Sequence, residues 1–245
     1  MEVYLNRIDG WDDAILTMFY SKRTITRGFE YEVRDAIFQS TNNDPAYGTI
    51  GSLVDSKEWS KVEGWLKTLF KWAPYHITMG RFLDFSFTVY GMHRAGQDDW
   101  DAHTMRFNNR IIRSSTRLAD FQGGEMSDYY QNKIIPTDMA LAVLGITTPD
   151  EIEFEGNVYV KGVNGYILKG MENNKDVKRG LYMLSIPSNF IFKITLTEFA
   201  HVYKERRAEG TANPEVKDGC EKMVDLLESA SRGFINRDLL MKIKN

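Results

Sequence analysis

The chain has 245 residues, of which 42% are hydrophobic and 27% are charged, as in ordinary soluble globular proteins. Its formal net charge of -3 argues against a general polyanion-binding protein, and its single cysteine, Cys220, excludes an intrachain disulfide or a multi-cysteine metal site. No apolar run approaches the roughly 18 residues of a membrane span, and the N-terminal stretch lacks a signal-peptide pattern. These features predict a cytoplasmic protein without a membrane partner.

The first half of the chain alternates between helical and strand periods. Segment 56–72 predicts an amphipathic helix whose apolar face consists of Trp59, Val62, Leu66, Leu69 and Phe70. Segment 82–90 predicts a half-buried strand with Phe85, Phe87 and Val89 on its inner side. The acidic stretch that follows, 96–107, suits the N-terminus of a helix that carries Trp100, Phe107 and Ile111 as an apolar stripe.

The second half contains both kinds of element again. Segment 154–168 predicts two short strands around a glycine-containing turn, and the alternation of 186–196 predicts another strand. Two helices are expected over 197–207 and 213–230, the second with Pro214 just inside its start. Because there is no regular βαβ rhythm, we predict an α+β fold, a single domain over residues 1–245 with an antiparallel or mixed sheet flanked by helices.

Four arginines are concentrated in segment 105–117, at spacings of 4, 3 and 4, namely Arg106, Arg110, Arg113 and Arg117. On a helix they would share a stripe roughly 60° wide, although like charges at these spacings repel. One interpretation is an anion site, since guanidinium groups match phosphate and the hydroxyls of Ser114, Ser115 and Thr116 lie between two arginines. The other is a solvated face neutralised by Asp98, Asp99, Asp101 and Asp120.

Other chemistry-bearing motifs are missing from the sequence. There is no glycine-rich dinucleotide or phosphate loop, and the histidines are too scattered to indicate a metal site. Cys220 falls on the apolar face of its predicted helix, with Val216, Met223, Val224 and Leu227. This setting predicts a buried, inert thiol and not a nucleophile.

Taken in order, segment 76–87, the arginine segment, segment 181–189 and segment 196–207 resemble the flavin-dependent thymidylate synthases. That family has a signature of the form RHRxxSxNExSxRY, preceded by an HxT segment that leads into a strand. The chain departs from the signature, with Phe107 and Asn108 in place of its histidine and second arginine, and Leu118 in place of its tyrosine. It also departs at 154–168, which reads as strand where the family usually runs helical.

The resemblance implies roles for individual residues. Flavin contacts are implied for His76, Thr78, Arg106, Asn108 and His201. Nucleotide contacts are implied for His103, Arg106, Ser115, Thr116, Arg117 and Arg206. Arg206 would act catalytically by pairing with the uracil edge, with Arg207 as the alternative if the alignment shifts by one. From the residues alone, His76 can instead cap a strand and Arg206 can be a simple cation at a helix end.

The resemblance also implies a reaction: FAD-dependent reductive methylation of dUMP to dTMP, with methylenetetrahydrofolate and NADPH as co-substrates. The family is a homotetramer with sites between subunits, and it uses no metal and no nucleic-acid partner. Two alternatives remain open, the formation of another 5-substituted deoxyuridylate and a non-catalytic nucleotide- or RNA-binding protein on the same fold. A binder of that kind would pair its arginines with aromatic stacking platforms.

Overall fold

A computed structural model describes residues 1–22, 24–102, 110–113, 128, 135, 137–162, 164–174, 186–207 and 213–244. Its helices in these ranges are α1 (Trp11–Tyr20), α2 (Arg27–Gln39), α3 (Trp59–Trp72), α4 (Ile77–Gly80), α5 (Arg94–Ala102), α6 (Thr137–Val143), α7 (Leu196–Arg207), α8 (Pro214–Ala230) and α9 (Arg237–Lys242). Its strands are β1 (Glu2–Asp9), β2 (Asp84–His93), β3 (Arg110–Arg113), β4 (Glu151–Phe154), β5 (Asn157–Gly162), β6 (Gly165–Leu168) and β7 (Pro187–Thr195). The predicted α+β class is confirmed. None of the helices described is long and apolar enough to cross a membrane.

The strands form a four-stranded sheet in the order β1-β2-β7-β3 and a three-stranded antiparallel sheet in the order β4-β5-β6. The chain divides into two compact units. The larger unit comprises residues 2–89, 98–112 and 190–245, and the smaller unit comprises residue 1, 90–97 and 113–189. A single domain over the whole chain therefore stays a prediction.

The aromatic core of the larger unit is built on β2 and β7, as their alternating sequences predict. The inward residues Phe85, Phe87 and Val89 of β2 are buried, as are Phe190, Phe192 and Ile194 of β7. Phe87 stacks on Phe192 and on Phe199 of α7, with ring centroids 5.4 Å and 5.9 Å apart. Because Phe199 is fully buried by this packing, α7 lies against the sheet.

Helices α3 and α8 are also where the apolar periodicity predicts them. The α8 helix begins as expected, with Pro214 in its first turn and the Asn213 side chain accepting a hydrogen bond from the Glu215 main-chain N–H at 2.9 Å. Its apolar face is buried, including Cys220. Helix α8 packs against α7 and against strand β1 of the four-stranded sheet.

Two predictions around the arginine segment are wrong. Residues Arg110–Arg113 form strand β3 next to β7, and positions three apart on a strand fall on opposite faces, so the one-sided helical stripe does not exist over this stretch. Helix α5 begins at Arg94 and has no acidic residue in its first turn, so the acidic stretch does not form a helix N-terminus. Arg106 and Arg117 lie outside the described residues.

The smaller unit contains the two strands predicted over 154–168, β5 and β6, and a further strand, β4, that ends at Phe154. Strands β4 and β5 meet at a tight turn formed by Glu155 and Gly156, whose φ angles are 50° and 76°. Positive φ at both central residues is the geometry of a two-residue hairpin turn. A second hairpin joins β5 to β6, with Asn164 at φ 58°. The predicted strand character of this segment is confirmed.

Candidate functional site

The HxT segment and its neighbours form an exposed aromatic surface in the larger unit. His76 immediately precedes α4 and Thr78 lies within it, and both are exposed. The His76 ring lies beside the indole of Trp72, with centroids 5.9 Å apart, and Tyr75 and Phe82 are 69% and 45% exposed. We call these five residues the α4 surface. His76 occupies the N-cap position of α4, and its side chain makes no capping hydrogen bond to that helix.

Two lysines that the sequence analysis did not identify add positive charge to the α4 surface. The Lys22 ammonium lies 5.2 Å from the centre of the Trp72 ring, and the Lys244 ammonium lies 5.8 Å from that of Tyr75. The main-chain N–H of Lys244 donates to the Pro74 carbonyl at 3.3 Å, which ties the end of the chain to this turn. Ammonium groups over aromatic rings are favourable cation–π contacts. The surface is therefore both aromatic and cationic.

Helix α7 links the α4 surface to His201. The Thr197 hydroxyl donates to the Ile77 carbonyl at 2.9 Å, which docks α4 onto the first turn of α7. His201 follows Thr197 by four residues and is half-buried, so both lie on the same side of α7, about 6 Å apart along its axis. The structure thus brings His76, Thr78 and His201 to one side of α7.

Arg206 does not share that side. It stands five residues after His201, about 140° away around the helix, and its side chain is only 4% exposed. Its Nη1 lies 3.0 Å from Oδ1 of Asp99 on α5, and its Nη2 donates to the main-chain carbonyl of Asp99. Arg206 is therefore a buried, ion-paired residue and not a solvated cation at a helix end, and Asp99 is its partner. The Arg207 side chain lies outside the described residues.

Cys220 lies beside this ion pair. Burial raises the pKa of the Cys220 thiol, and the nearby Arg206 offsets this only in part, while Glu221 and Asp99 raise the pKa further. The predicted buried and inert thiol agrees with this environment.

The predicted phosphate loop and several flavin or nucleotide contacts lie outside the described residues, namely His103, Arg106, Asn108, Ser115, Thr116 and Arg117. Within β3, Arg113 is half-buried, and its Nη2 donates to the Gln97 main-chain carbonyl at 3.4 Å in the smaller unit. Among the described residues, no group of three or more histidine, cysteine or acidic side chains is placed to hold a metal ion.

A surface groove of about 610 Å³ is present elsewhere in the larger unit. It is formed by the end of β1, the start of α1 and the outward face of α2, including Tyr31, Arg34 and Phe38. None of the described residues to which the resemblance assigns a role lines this groove.

Comparison with known proteins gives a match in structure but not in sequence. No protein family matches the chain by its sequence profile, and no curated protein matches it. The thymidylate synthase ThyX of Helicobacter pylori, solved with FAD and dUMP, is 12% identical, and the superposition has a TM-score of 0.54 and covers 98% of this chain and 100% of that chain. A second structure of ThyX from Helicobacter pylori, also complexed with FAD and dUMP, gives a TM-score of 0.56 at 12% identity and covers 98% and 99%.

The chain has the ThyX fold. A UMP/dUMP methylase, PolB from Streptomyces cacaoi, solved with 5-Br dUMP, matches as well, with a TM-score of 0.51, 12% identity and coverage of 95% of this chain and 92% of that chain. At 12% identity these likenesses establish the fold, whereas the chemistry has to be argued from the residues of this chain.

Proposed function

We propose that this protein is a flavin-dependent enzyme that modifies dUMP, and more specifically that it methylates dUMP to dTMP. Methylenetetrahydrofolate would supply the carbon and NADPH the reducing equivalents. The observation that carries the proposal is the match of 98% of this chain to 100% of a ThyX chain solved with FAD and dUMP. Because the match covers nearly all of both chains, the elements that surround FAD and dUMP in ThyX have counterparts in this fold, and they could form the same kind of site here.

The α4 surface fits part of a flavin site. The exposed rings of Trp72 and Tyr75 offer stacking faces, His76 and Thr78 offer hydrogen bonds, and Lys22 adds a positive charge beside Trp72. A flavin dinucleotide has a flat ring system and a negatively charged diphosphate, so aromatic and cationic groups suit it. When bound, the flavin would supply the redox chemistry of the methyl transfer, and the chain's own residues would bind and orient the nucleotide.

Most of the remaining residues would bind the nucleotide. Ser115, Thr116 and Arg117 would hold its phosphate through hydroxyl and guanidinium donors, Arg106 would contact both the nucleotide and the flavin, and His103 would orient the pyrimidine. Arg206 would donate to the pyrimidine and stabilise the negative charge that develops on it. Asn108 would contact the flavin with His201. A homotetramer with sites between subunits is part of the proposal.

A second candidate is the formation of another 5-substituted uridylate. It is favoured by the likeness to the UMP/dUMP methylase PolB, whose TM-score of 0.51 is close to those of ThyX. The departures from the family signature at Phe107, Asn108 and Leu118 allow a change in the substrate or the added group. Mass analysis of the nucleotide product separates this candidate from dTMP synthesis.

The first test is flavin binding. The purified protein should carry a flavin absorbance band or should bind added FAD in a saturable titration. It should then bind dUMP by calorimetry and convert it when methylenetetrahydrofolate and NADPH are supplied. A colourless protein that binds dUMP but not FAD would replace the enzyme by the non-catalytic nucleotide-binding protein.

Replacing Cys220 with serine should leave most product formation intact. Burial raises the pKa of this thiol, so the thiolate needed for nucleophilic attack on the pyrimidine is scarce. The free energy of unfolding should fall by about 1 to 2 kcal/mol because a hydroxyl replaces a small apolar group. Urea denaturation measures this loss, and Cys220→Ala serves as the control without a buried hydroxyl. A folded, flavin-loaded Cys220→Ser protein without activity would contradict a mechanism that needs no enzymic thiol.

A further inference from the structure

Asp99 holds the Arg206 guanidinium at two points. One is the carboxylate, whose Oδ1 lies 3.0 Å from Nη1, and the other is the main-chain carbonyl of the same residue, which accepts from Nη2. Two contacts from one residue to the two terminal nitrogens fix both the position and the plane of the guanidinium. Because the Arg206 side chain is 4% exposed, it has little room to adopt another rotamer.

Some polar atoms at this ion pair make no hydrogen bond within the described part of the chain. Within the described part of the chain, Nε of Arg206 and Oδ2 of Asp99 are buried without a hydrogen-bond partner, and so is Nε1 of Trp100, the next residue on α5. Buried polar atoms in native proteins nearly always have partners, so a group of such atoms calls for an explanation. A guanidinium carries five N–H donors, and the two contacts to Asp99 use one on each Nη, so the Nε–H and the second N–H of each Nη are held in fixed directions.

We propose that Asp99 is a positioning residue for Arg206. It orients the guanidinium so that its remaining N–H donors are directed at the pyrimidine of the nucleotide. This inference rests on the proposed function, in which Arg206 contacts the substrate. Asp99 itself touches no reacting atom, and its effect passes through Arg206. It also neutralises the guanidinium, so that a buried charge is retained next to the apolar face of α8.

The opposite role for the same contact would be competition, with Asp99 withholding Arg206 until substrate displaces it. Burial argues against this. If the substrate took the place of Asp99, Arg206 would have to break both contacts to Asp99 at once and leave a site in which it is 96% covered. Positioning requires no such movement. The two roles predict opposite signs for the effect of Asp99 on dUMP affinity, which makes them separable.

The test uses the full chain loaded with FAD and compares Asp99→Asn with Asp98→Asn, a change at the exposed neighbour on the same helix. Positioning predicts that Asp99→Asn keeps its flavin and lowers kcat on the order of 10- to 100-fold, with little change in KM for dUMP. Asp98→Asn should match the unmodified protein in both constants. Tighter dUMP binding by Asp99→Asn would establish competition and overturn the proposal. A lower melting temperature with unchanged kcat would reduce the pair to a structural contact.

If Asp99→Asn fails to fold, Asp99→Glu decides, because it keeps the charge and moves the carboxylate by one methylene. An unchanged kcat in the folded Asp99→Glu protein overturns positioning, and a lowered kcat with an unchanged KM supports it. The unmodified protein distinguishes a failure of the proposed function from a failure of the positioning role. If it binds neither FAD nor dUMP, both the proposed function and the positioning role of Asp99 are wrong. If it turns over and Asp99→Asn behaves identically, only the positioning role fails.

Discussion

Replacing Arg206 with methionine is expected to lower the free energy of unfolding by about 3 kcal/mol and to reduce turnover on the order of 100-fold. The methionine fills the space of the arginine stem but leaves the Asp99 carboxylate without its cation. The loss of stability falls at the lower end of the range for broken buried pairs because the Asp99 side chain is 33% exposed, so its charge is only partly desolvated. Urea denaturation and steady-state kinetics on flavin-loaded protein measure the two effects.

Two comparison variants separate stability from catalysis. Arg206→Met combined with Asp99→Asn removes both charges, so it should regain most of the lost stability without regaining turnover. Arg207→Ala should have a mild effect on turnover, since the neighbouring position is only the alternative in the alignment. A larger loss of turnover in Arg207→Ala than in Arg206→Met would show that the register of the resemblance is off by one.

Much of the fold could be predicted because residues that are buried on one side of a strand or helix recur in the sequence at the spacing of that element. The alternation around Phe87 and Phe192 marks two neighbouring strands of one sheet, and the apolar face through Cys220 marks a helix that is packed on that face only. In each case the local pattern and the tertiary environment require the same conformation. Such agreement is the condition under which sequence reasoning succeeds.

The helix predicted for the arginine segment was wrong because the pattern that suggested it consisted of charges and not of buried residues. Spacings of 4, 3 and 4 fit a helix, but charge spacing carries no information on which strand offers backbone hydrogen bonds. Strand β3 exists because β7 lies beside it, and β7 comes much later in the chain. The conformation of Arg110–Arg113 is thus decided by a partner that no local window contains.

The candidate site was only partly visible in the sequence for a similar reason. His76, Thr78 and His201 were found through the resemblance, and the structure places them on one side of α7. The contact between Asp99 and Arg206 joins residues 107 positions apart, and Lys22 and Lys244 approach the α4 surface from the two ends of the chain. Isolated charged residues of this kind have no periodicity, so a sequence alone cannot pair them.

A change far from the proposed nucleotide contacts should have the largest effect on stability. Gly10→Ala is expected to lower the free energy of unfolding by about 3 to 5 kcal/mol, from a left-handed backbone and a steric clash acting together. Gly10 has a φ of 85°, and a Cβ built there would lie 1.9 Å from the main-chain oxygen of Phe82. Phe82 belongs to the α4 surface, so relief of the clash displaces the proposed flavin contacts, and FAD affinity should fall along with stability.

Gly64→Ala provides the matched control, because it makes the same chemical change in the opposite setting. Gly64 lies inside α3, is exposed, and has open space where its Cβ would be. Alanine there should raise the free energy of unfolding by about 0.5 to 1 kcal/mol, since it favours the helix that glycine weakens. Urea denaturation of both variants, with FAD titration of the folded fraction, measures the contrast. A Gly10→Ala protein as stable as Gly64→Ala would show that the turn of Gly10 against Phe82 is not the close contact on which the α4 surface depends.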